Sequence, residues 1–134
     1  MIFVDSSVLL DVMGSSGQQS AWSIEMFLGV EAPVINHVVL AEVSGRFDGA
    51  QALLDAVNDL QVDVLPLDHD IAHRAGRAFR SYRQKGGPRQ TILPDFLIGA
   101  HAEQLGIPLL TRDTRRFRGH FPDLSLIIPE KTDD

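Results

Sequence analysis

The chain has 134 residues, no Cys and a formal net charge of −6 at pH 7. This length suits one domain with one core, and the lack of Cys excludes a disulfide framework and a thiolate metal site. The acidic total argues against a protein that coats nucleic acid indiscriminately. The charge is uneven, however, because residues 1–70 carry −10 and residues 71–134 carry +4. The basic second half leaves room for a local phosphate-binding surface.

The hydrophobic pattern predicts alternating strands and helices along the whole chain. In chain order the predicted elements are a strand at 2–4, a helix from Ser6, a loop at 14–17, a helix over 21–28, a strand at 33–35, a helix capped by Asn36, a helix over 52–60, a strand at 62–67, a helix from Asp68 to about Tyr82, a helix from about Pro94 to Gly106, and strands at 108–111 and 124–128. Strands separated by helices indicate parallel pairing. We expect one α/β domain over 1–134, with a mainly parallel sheet of about five strands and helices on both faces.

The N-terminus predicts neither export nor membrane insertion. The first four residues, Met1-Ile2-Phe3-Val4, include no basic side chain, and the acid Asp5 follows them directly. An acid at this position interrupts the apolar region that a signal peptide needs. No apolar run approaches the ~20 residues that a membrane span needs. We therefore expect a cytoplasmic protein with no membrane partner.

Four carboxylates interrupt stretches that are otherwise apolar. Asp5 and Asp113 follow predicted strands, Asp95 lies in the first turn of a predicted helix, and a helical wheel turns Glu42 toward the apolar side of its helix. Each acid alone has an ordinary structural explanation, as a cap, a turn former or a salt-bridged group. A buried carboxylate either becomes neutral or demands a counter-charge, and four that converge would almost require a divalent cation. Gly99, over the same helix face as Asp95, indicates that something packs closely or binds there.

The four acids lie in the motifs Val-Asp-Ser-Ser, Leu-Ala-Glu, Pro-Asp-Phe-Leu-Ile-Gly-Ala-His-Ala and Leu-Leu-Thr-Arg-Asp-Thr-Arg-Arg-Phe. Together these motifs, which extend over residues 2–122, resemble the PIN-domain nucleases, and in particular the VapC-type toxins of bacterial toxin–antitoxin modules. The resemblance implies a metal-dependent endoribonuclease that hydrolyses phosphodiester bonds in structured RNA such as tRNA. It also implies a homodimer and a cognate VapB-like antitoxin. The chain departs from many relatives at Ser6-Ser7, where they have Thr-Asn.

The resemblance implies that the four acids form a metal-binding site. Asp5 and Asp95 are the first candidates for ligands, Asp113 is next, and Glu42 would bind a second ion or position the attacking water. Carboxylates without Cys or clustered His favour Mg²⁺ or Mn²⁺ over zinc.

Hydroxyl and basic residues are expected to support these acids. Ser7 and Thr111 are candidates to hydrogen-bond the carboxylates or a phosphate, although either could be an ordinary hydroxyl at a helix start or strand end. Four arginines are candidate phosphate contacts, with exposed solubility residues as the alternative. They are Arg89, Arg112, Arg115 and Arg116.

Two other functions remain open from the sequence. One is a non-enzymatic, Mg²⁺-binding module of the phosphoreceiver type, with Asp68 as the candidate phosphoacceptor. The other is a degenerate PIN domain that binds RNA or dimerises without cleaving; the intact acids argue against it.

Overall fold

The computed structural model describes residues 1–14, 20–86 and 91–129. Within these ranges the strands are β1 Ile2–Val4, β2 Pro33–Asn36, β3 Asp63–Leu65, β4 Leu109–Leu110 and β5 Leu126–Ile127. The helices are α1 Ser6–Val12, α2 Ser20–Leu28, α3 His37–Val43, α4 Ala50–Asp59, α5 His69–Gln84 and α6 Leu93–Leu105. Short 3₁₀ helices follow at Ser44–Arg46 and Thr114–Arg116. Most of the loop expected at 14–17 lies outside the described residues.

The strands form one parallel sheet in the order β3-β2-β1-β4-β5. The predicted five-stranded α/β architecture is therefore confirmed. The chain leaves the central strand β1 in one direction to build β2 and β3, and then returns to the opposite side of β1 to build β4 and β5. This reversal opens a crevice at the carboxyl ends of β1 and β4, where parallel sheets commonly bind ligands. Asp5 and Asp113 follow these two strands.

The apolar character of the central strands explains why they lie innermost. Phe3, Val4, Leu109 and Leu110 have no exposed surface, as expected for strands covered on both faces. The main core joins the sheet to helices α1 to α4 and α6. A second, smaller core packs α5 against α6 through Ala75, Phe96 and Ala100. No helix in the described ranges has the length and hydropathy needed to cross a bilayer.

Three strands, β3, β4 and β5, are shorter than the runs predicted at 62–67, 108–111 and 124–128. β3 omits Val62, whose N–H donates to the carbonyl of Val57 at 3.2 Å and so closes the end of α4. Its other end stops before Pro66, which has no N–H for the ladder. A local hydrogen bond and a proline therefore set the two ends of β3.

Asn36 connects the start of α3 to α6. Its Oδ1 accepts hydrogen bonds from the N–H groups of Val38 at 3.0 Å and Val39 at 3.1 Å, which confirms the predicted N-cap. Its Nδ2 lies 3.1 Å from Nδ1 of His101, a residue that is 1 % exposed. Because Nδ2 can only donate, the neutral ring accepts at Nδ1 and carries its proton on Nε2. Burial lowers the pKa of His101, more than Asp68 raises it.

Gly99 provides space for a side chain and not for a ligand. A Cβ at this position would lie 2.3 Å from Cε2 of Phe121, whose ring packs directly on the helix backbone. Of the two explanations that the sequence left open, close packing is the correct one. The contact fixes the segment after the second 3₁₀ helix against α6.

Gly99→Ala is expected to destabilise the protein by roughly 1–3 kcal/mol, because the buried Phe121 ring must move. Thermal or urea unfolding measures this change. Gly76→Ala in α5 is the matched control, because a Cβ there meets nothing within 4 Å. That control should gain up to ~1 kcal/mol from helix propensity. Equal effects at the two glycines would contradict the packing role of Gly99.

The free energy of unfolding should fall as pH drops from about 7 to 5. The pKa of His101 is lowered in the folded protein, so its stabilising contribution is complete above the unfolded pKa of 6.5 and is lost as pH falls toward the folded value. Protonation would also place two donors face to face between Asn36 and His101. Urea unfolding at several pH values measures the loss.

His101→Gln should flatten this pH dependence in part. His120, whose pKa burial also lowers, contributes in the same direction. His37→Gln, a change at an exposed position, is the control and should leave the pH profile unchanged. An unaltered profile in the His101 variant would contradict the assignment.

Candidate functional site

Asp5 is the most buried member of the site, with no exposed surface. Its Oδ2 accepts hydrogen bonds from Ser7 Oγ at 2.8 Å and Thr111 Oγ1 at 2.7 Å, and it also contacts the guanidinium of Arg116. Its Oδ1 is buried without a partner in the described part of the chain. A buried carboxylate oxygen of this kind is costly unless a further group binds it.

Asp95 lies in the first turn of α6 and is 2 % exposed. Its Oδ2 accepts the N–H of Ile92 at 3.0 Å, which closes the start of the helix. Its Oδ1 accepts from Nη1 of Arg116 at 2.6 Å. The helix therefore fixes one oxygen of Asp95 and leaves the other directed at the same guanidinium that contacts Asp5.

Asp113 and Thr111 follow β4 and face the same crevice. Thr111 Oγ1 donates to Asp5 and accepts the N–H of Asp113 at 3.1 Å, so one hydroxyl orders both acids. Oδ1 of Asp113 caps the second 3₁₀ helix, and its Oδ2 lies 3.4 Å from Nε of Arg116. The side chain of Asp113 is 39 % exposed and forms the open rim of the site.

Glu42 reaches the site from α3. The helical wheel turned it toward the apolar side, but the residue is exposed overall, so that expectation holds only for its carboxyl group. This group accepts a hydrogen bond from Ser6, and partial burial is the main cause of its raised pKa. Asp5 and Asp95 raise the pKa further, whereas Ser6 and Arg116 lower it. Glu42 therefore experiences the charges of the other site residues.

Arg116 lies between the acids. Its guanidinium pairs with Asp5, Asp95 and Asp113 while the side chain is only 18 % exposed. Burial opposes its charge, but the three carboxylates outweigh burial, so the pKa of Arg116 is raised. The sequence singled out Arg116 only as a phosphate contact. The Asp113–Arg116 spacing of three residues was the one local signal of this pairing.

Arg112 belongs to a second ion pair that the sequence did not indicate. Its Nε and Nη2 donate to the two oxygens of Asp11 at 2.6 and 3.2 Å, and Ser23 Oγ also donates to Asp11 at 2.6 Å. Asp11 is 3 % exposed. This bidentate pair ties α1 and α2 to the segment after β4, and so supports the loop that carries Asp113.

The predicted phosphate contacts therefore have different surroundings. Arg112 and Arg116 pair with acids, Arg115 is exposed, and Arg89 lies outside the described residues. A surface cavity of about 510 Å³ opens beside the acids and is lined by Ser6, Ser7, Asp113 and Arg115, among others. Its mixed charge suits a phosphate that approaches an acidic centre.

The acids suit a hard cation chemically, and the buried Oδ1 of Asp5, which accepts no hydrogen bond in the described residues, is an oxygen that such a cation could bind. However, no three carboxylate or His groups in the described ranges already form a metal-binding cluster. Arg116 occupies the space between Asp5 and Asp95 instead. The structure thus pairs three of the predicted acids, Asp5, Asp95 and Asp113, with one guanidinium, whereas Glu42 interacts with this group only through its charge.

Comparison with known proteins places this architecture in a family. The PIN domain family matches residues 2–120, and the chain belongs to that family. No curated protein matches the sequence.

Solved structures with the same fold include components of toxin–antitoxin complexes. VapBC2 from Rickettsia felis, bound to a DNA fragment from its promoter, is 19% identical with a TM-score of 0.70, and the match covers 97% of this chain and 100% of that one. VapBC-1 from nontypeable Haemophilus influenzae is 22% identical with a TM-score of 0.69, covering 96% and 98%. The sarcin-ricin loop cleaving toxin VapC20 from Mycobacterium tuberculosis is 19% identical with a TM-score of 0.64, covering 91% and 93%. These neighbours share the fold of this chain over nearly its whole length.

Thr111→Val removes the hydroxyl that orders Asp5 and Asp113. We expect the free energy of unfolding to fall by roughly 1–3 kcal/mol, because a buried carboxylate loses a donor. Urea unfolding at pH 7 measures the change. Thr114→Val is the control, because the Thr114 side chain makes no hydrogen bond within the described residues, and its effect should stay within ~0.5 kcal/mol. A Thr111 variant as stable as wild type would contradict this role.

Proposed function

We propose that this protein is the toxin of a toxin–antitoxin pair and that it acts as a metal-dependent endoribonuclease. The substrate is structured RNA such as tRNA, and the reaction is hydrolysis of a phosphodiester bond. The observation that carries this proposal is the carboxylate of Asp5, which is buried at the sheet reversal and has one oxygen without a partner. Two further observations support it: Asp95 and Asp113 pair with the same arginine as Asp5, and the charges of Asp5 and Asp95 raise the pKa of Glu42.

Mg²⁺ or Mn²⁺ is the cofactor that the donor set favours. Asp5 and Asp95 would hold it, with Asp113 at the open rim and Glu42 placed for a second ion or for the attacking water. When bound, such an ion orients water for in-line attack and neutralises charge on the phosphate oxygens. Ser7 and Thr111 keep the Asp5 carboxylate oriented, and the Asp11–Arg112 pair holds the loop that carries Asp113.

The partners follow from the relatives. Solved structures with the same fold include a toxin–antitoxin complex and a member of the VapBC family of toxin–antitoxin systems, which supports a VapB-like antitoxin for this chain. VapC20 is named as a toxin that cleaves the sarcin-ricin loop, which supports an ordered RNA as the target. A homodimer in the cytoplasm completes the proposal, as the family resemblance implies.

The two alternative functions are less well supported. β3 lies at the sheet edge, separated from β1 by β2, so Asp68 is remote from the end of β1. Asp68 instead caps α5 by accepting the N–H of Ile71 at 2.8 Å. This placement does not suit a phosphoacceptor beside the acids. A non-cleaving RNA-binding module would need no partnerless buried carboxylate.

Asp5→Asn and Asp95→Asn should each reduce RNA cleavage by ~10²-fold or more, because each removes a charge that would hold the cation. The measurement is cleavage of total tRNA by antitoxin-free protein in Mg²⁺ and in Mn²⁺. Circular dichroism should establish that both variants are folded.

Asp59→Asn, at an exposed position at the end of α4, is the matched control and should retain wild-type cleavage. Failure of the wild type to cleave RNA in either ion would refute the proposed activity. Retention of RNA binding without cleavage would favour the non-enzymatic alternative.

A further inference from the structure

The guanidinium of Arg116 lies in a pocket lined by three carboxylates. Nη1 lies 2.6 Å from Asp95 Oδ1, Nη2 contacts Asp5 Oδ2, and Nε lies 3.4 Å from Asp113 Oδ2. The two nearer carboxylates are almost fully buried. Each nitrogen of the guanidinium therefore faces a different carboxylate, and the side chain bridges β1, α6 and the segment after β4.

The ion pairs of Arg116 partly neutralise the negative charge of the three carboxylates. A guanidinium does not lose its proton in a protein, so Arg116 supplies a permanent positive charge. Without it, Asp5 and Asp95 would face each other with no cation between them. One positive charge among three carboxylates still leaves the pocket negative, so a divalent cation remains attracted to it.

Asp95 has only one oxygen to offer a metal ion. Its Oδ2 accepts the N–H of Ile92, and its Oδ1 already accepts from Arg116. An Mg²⁺ or Mn²⁺ ion held by Asp5 and Asp95 would therefore need an oxygen that Arg116 contacts. The ion and the guanidinium are competitors for that oxygen.

A displaced Arg116 would remain close to the pocket. Its side chain begins in the Thr114–Arg116 turn, it retains some exposure, and its guanidinium lies 5.0 Å from the centre of the Phe117 ring. Asp113 at the exposed rim is the partner that could still hold it. Such a displaced guanidinium would lie beside the cavity where a phosphate can approach.

We propose that Arg116 is a built-in counter-cation, which fills the acidic pocket in the absence of metal and is displaced from Asp5 and Asp95 when a divalent cation binds. The inference rests on the metal site of the proposed function. It makes Arg116 the residue that sets the cation affinity of the site. Release of the guanidinium would then couple cation binding to phosphate contact.

The test is titration of Mn²⁺ into metal-stripped protein by isothermal calorimetry, without RNA. Arg116→Gln should bind Mn²⁺ at least ~10-fold more tightly than wild type, because the competing cation is gone. Without metal, its melting temperature should be lower by ~5 °C or more, because buried acids lose their partner. Mn²⁺ should raise that temperature more than it does in wild type.

Arg115→Gln is the matched control, because Arg115 lies in the same turn but is exposed and pairs with no acid in the described residues. It should change neither Mn²⁺ affinity nor metal-free stability. If Arg116→Gln does not fold, Arg116→Lys replaces it, and this variant should bind Mn²⁺ more tightly than wild type because a single ammonium cannot bridge the acids.

A second measurement reports the displacement itself. The Nε–H signal of Arg116 in ¹⁵N-labelled wild type should shift on addition of Mg²⁺, and the Arg116→Gln spectrum identifies that signal. Unchanged or weaker Mn²⁺ affinity in the Arg116 variants, no Mn²⁺ binding in any variant, or a stationary Nε–H signal would each overturn the inference. Tighter Mn²⁺ binding without RNA cleavage would instead sustain it and refute the proposed activity.

Discussion

The carboxylate of Asp5 lies at the sheet reversal, where β1 ends beside β4, and it has no contact with solvent. A charge in that position is stable only if the surrounding chain provides donors and a counter-charge. Ser7 and Thr111 provide the donors, and Arg116 provides the counter-charge. The turn from β1 into α1, the end of β4 and the 3₁₀ helix beyond it are thus all constrained by one buried acid.

Helices α3 and α6, which carry Glu42 and Asp95, are held beneath the site by one polar contact and one aromatic contact. Asn36 joins α3 to His101 in α6, and Phe121 closes on Gly99 of the same helix. These contacts set the spacing between Glu42 and Asp95, although neither acid takes part in them. The geometry of the proposed site therefore depends on a neutral histidine and a ring-on-backbone contact beneath it.

Ion pairing divides the basic residues near the site into two groups. Arg112 and Arg116 stabilise the fold and the pocket through Asp11 and the acidic centre, whereas Arg115 faces solvent. Charge counting along the sequence treats these arginines alike. Their different burial makes Arg112 and Arg116 partners of buried acids and leaves Arg115 available to an anion.

The sequence alone determined the order of the elements, the parallel sheet, and the positions of Asp5 and Asp113 after strands and of Asp95 at a helix start. These features follow from local periodicity, capping residues such as Asn36 and Asp68, and the position of each acid relative to an apolar run. The motif order also identified the family, which the match over residues 2–120 confirms. The roles of the four acids in catalysis remain a prediction.

Only the tertiary structure decided which acidic and basic side chains form ion pairs. Asp11 and Arg112 are 101 residues apart, and Asp5 and Arg116 are 111 apart, so no local pattern links them. The close packing at Gly99 depends on a ring that arrives 22 residues later in the chain. Pairing of this kind follows from the parallel crossovers that place distant segments at one sheet edge, because ion pairs and ring contacts form between neighbours in space.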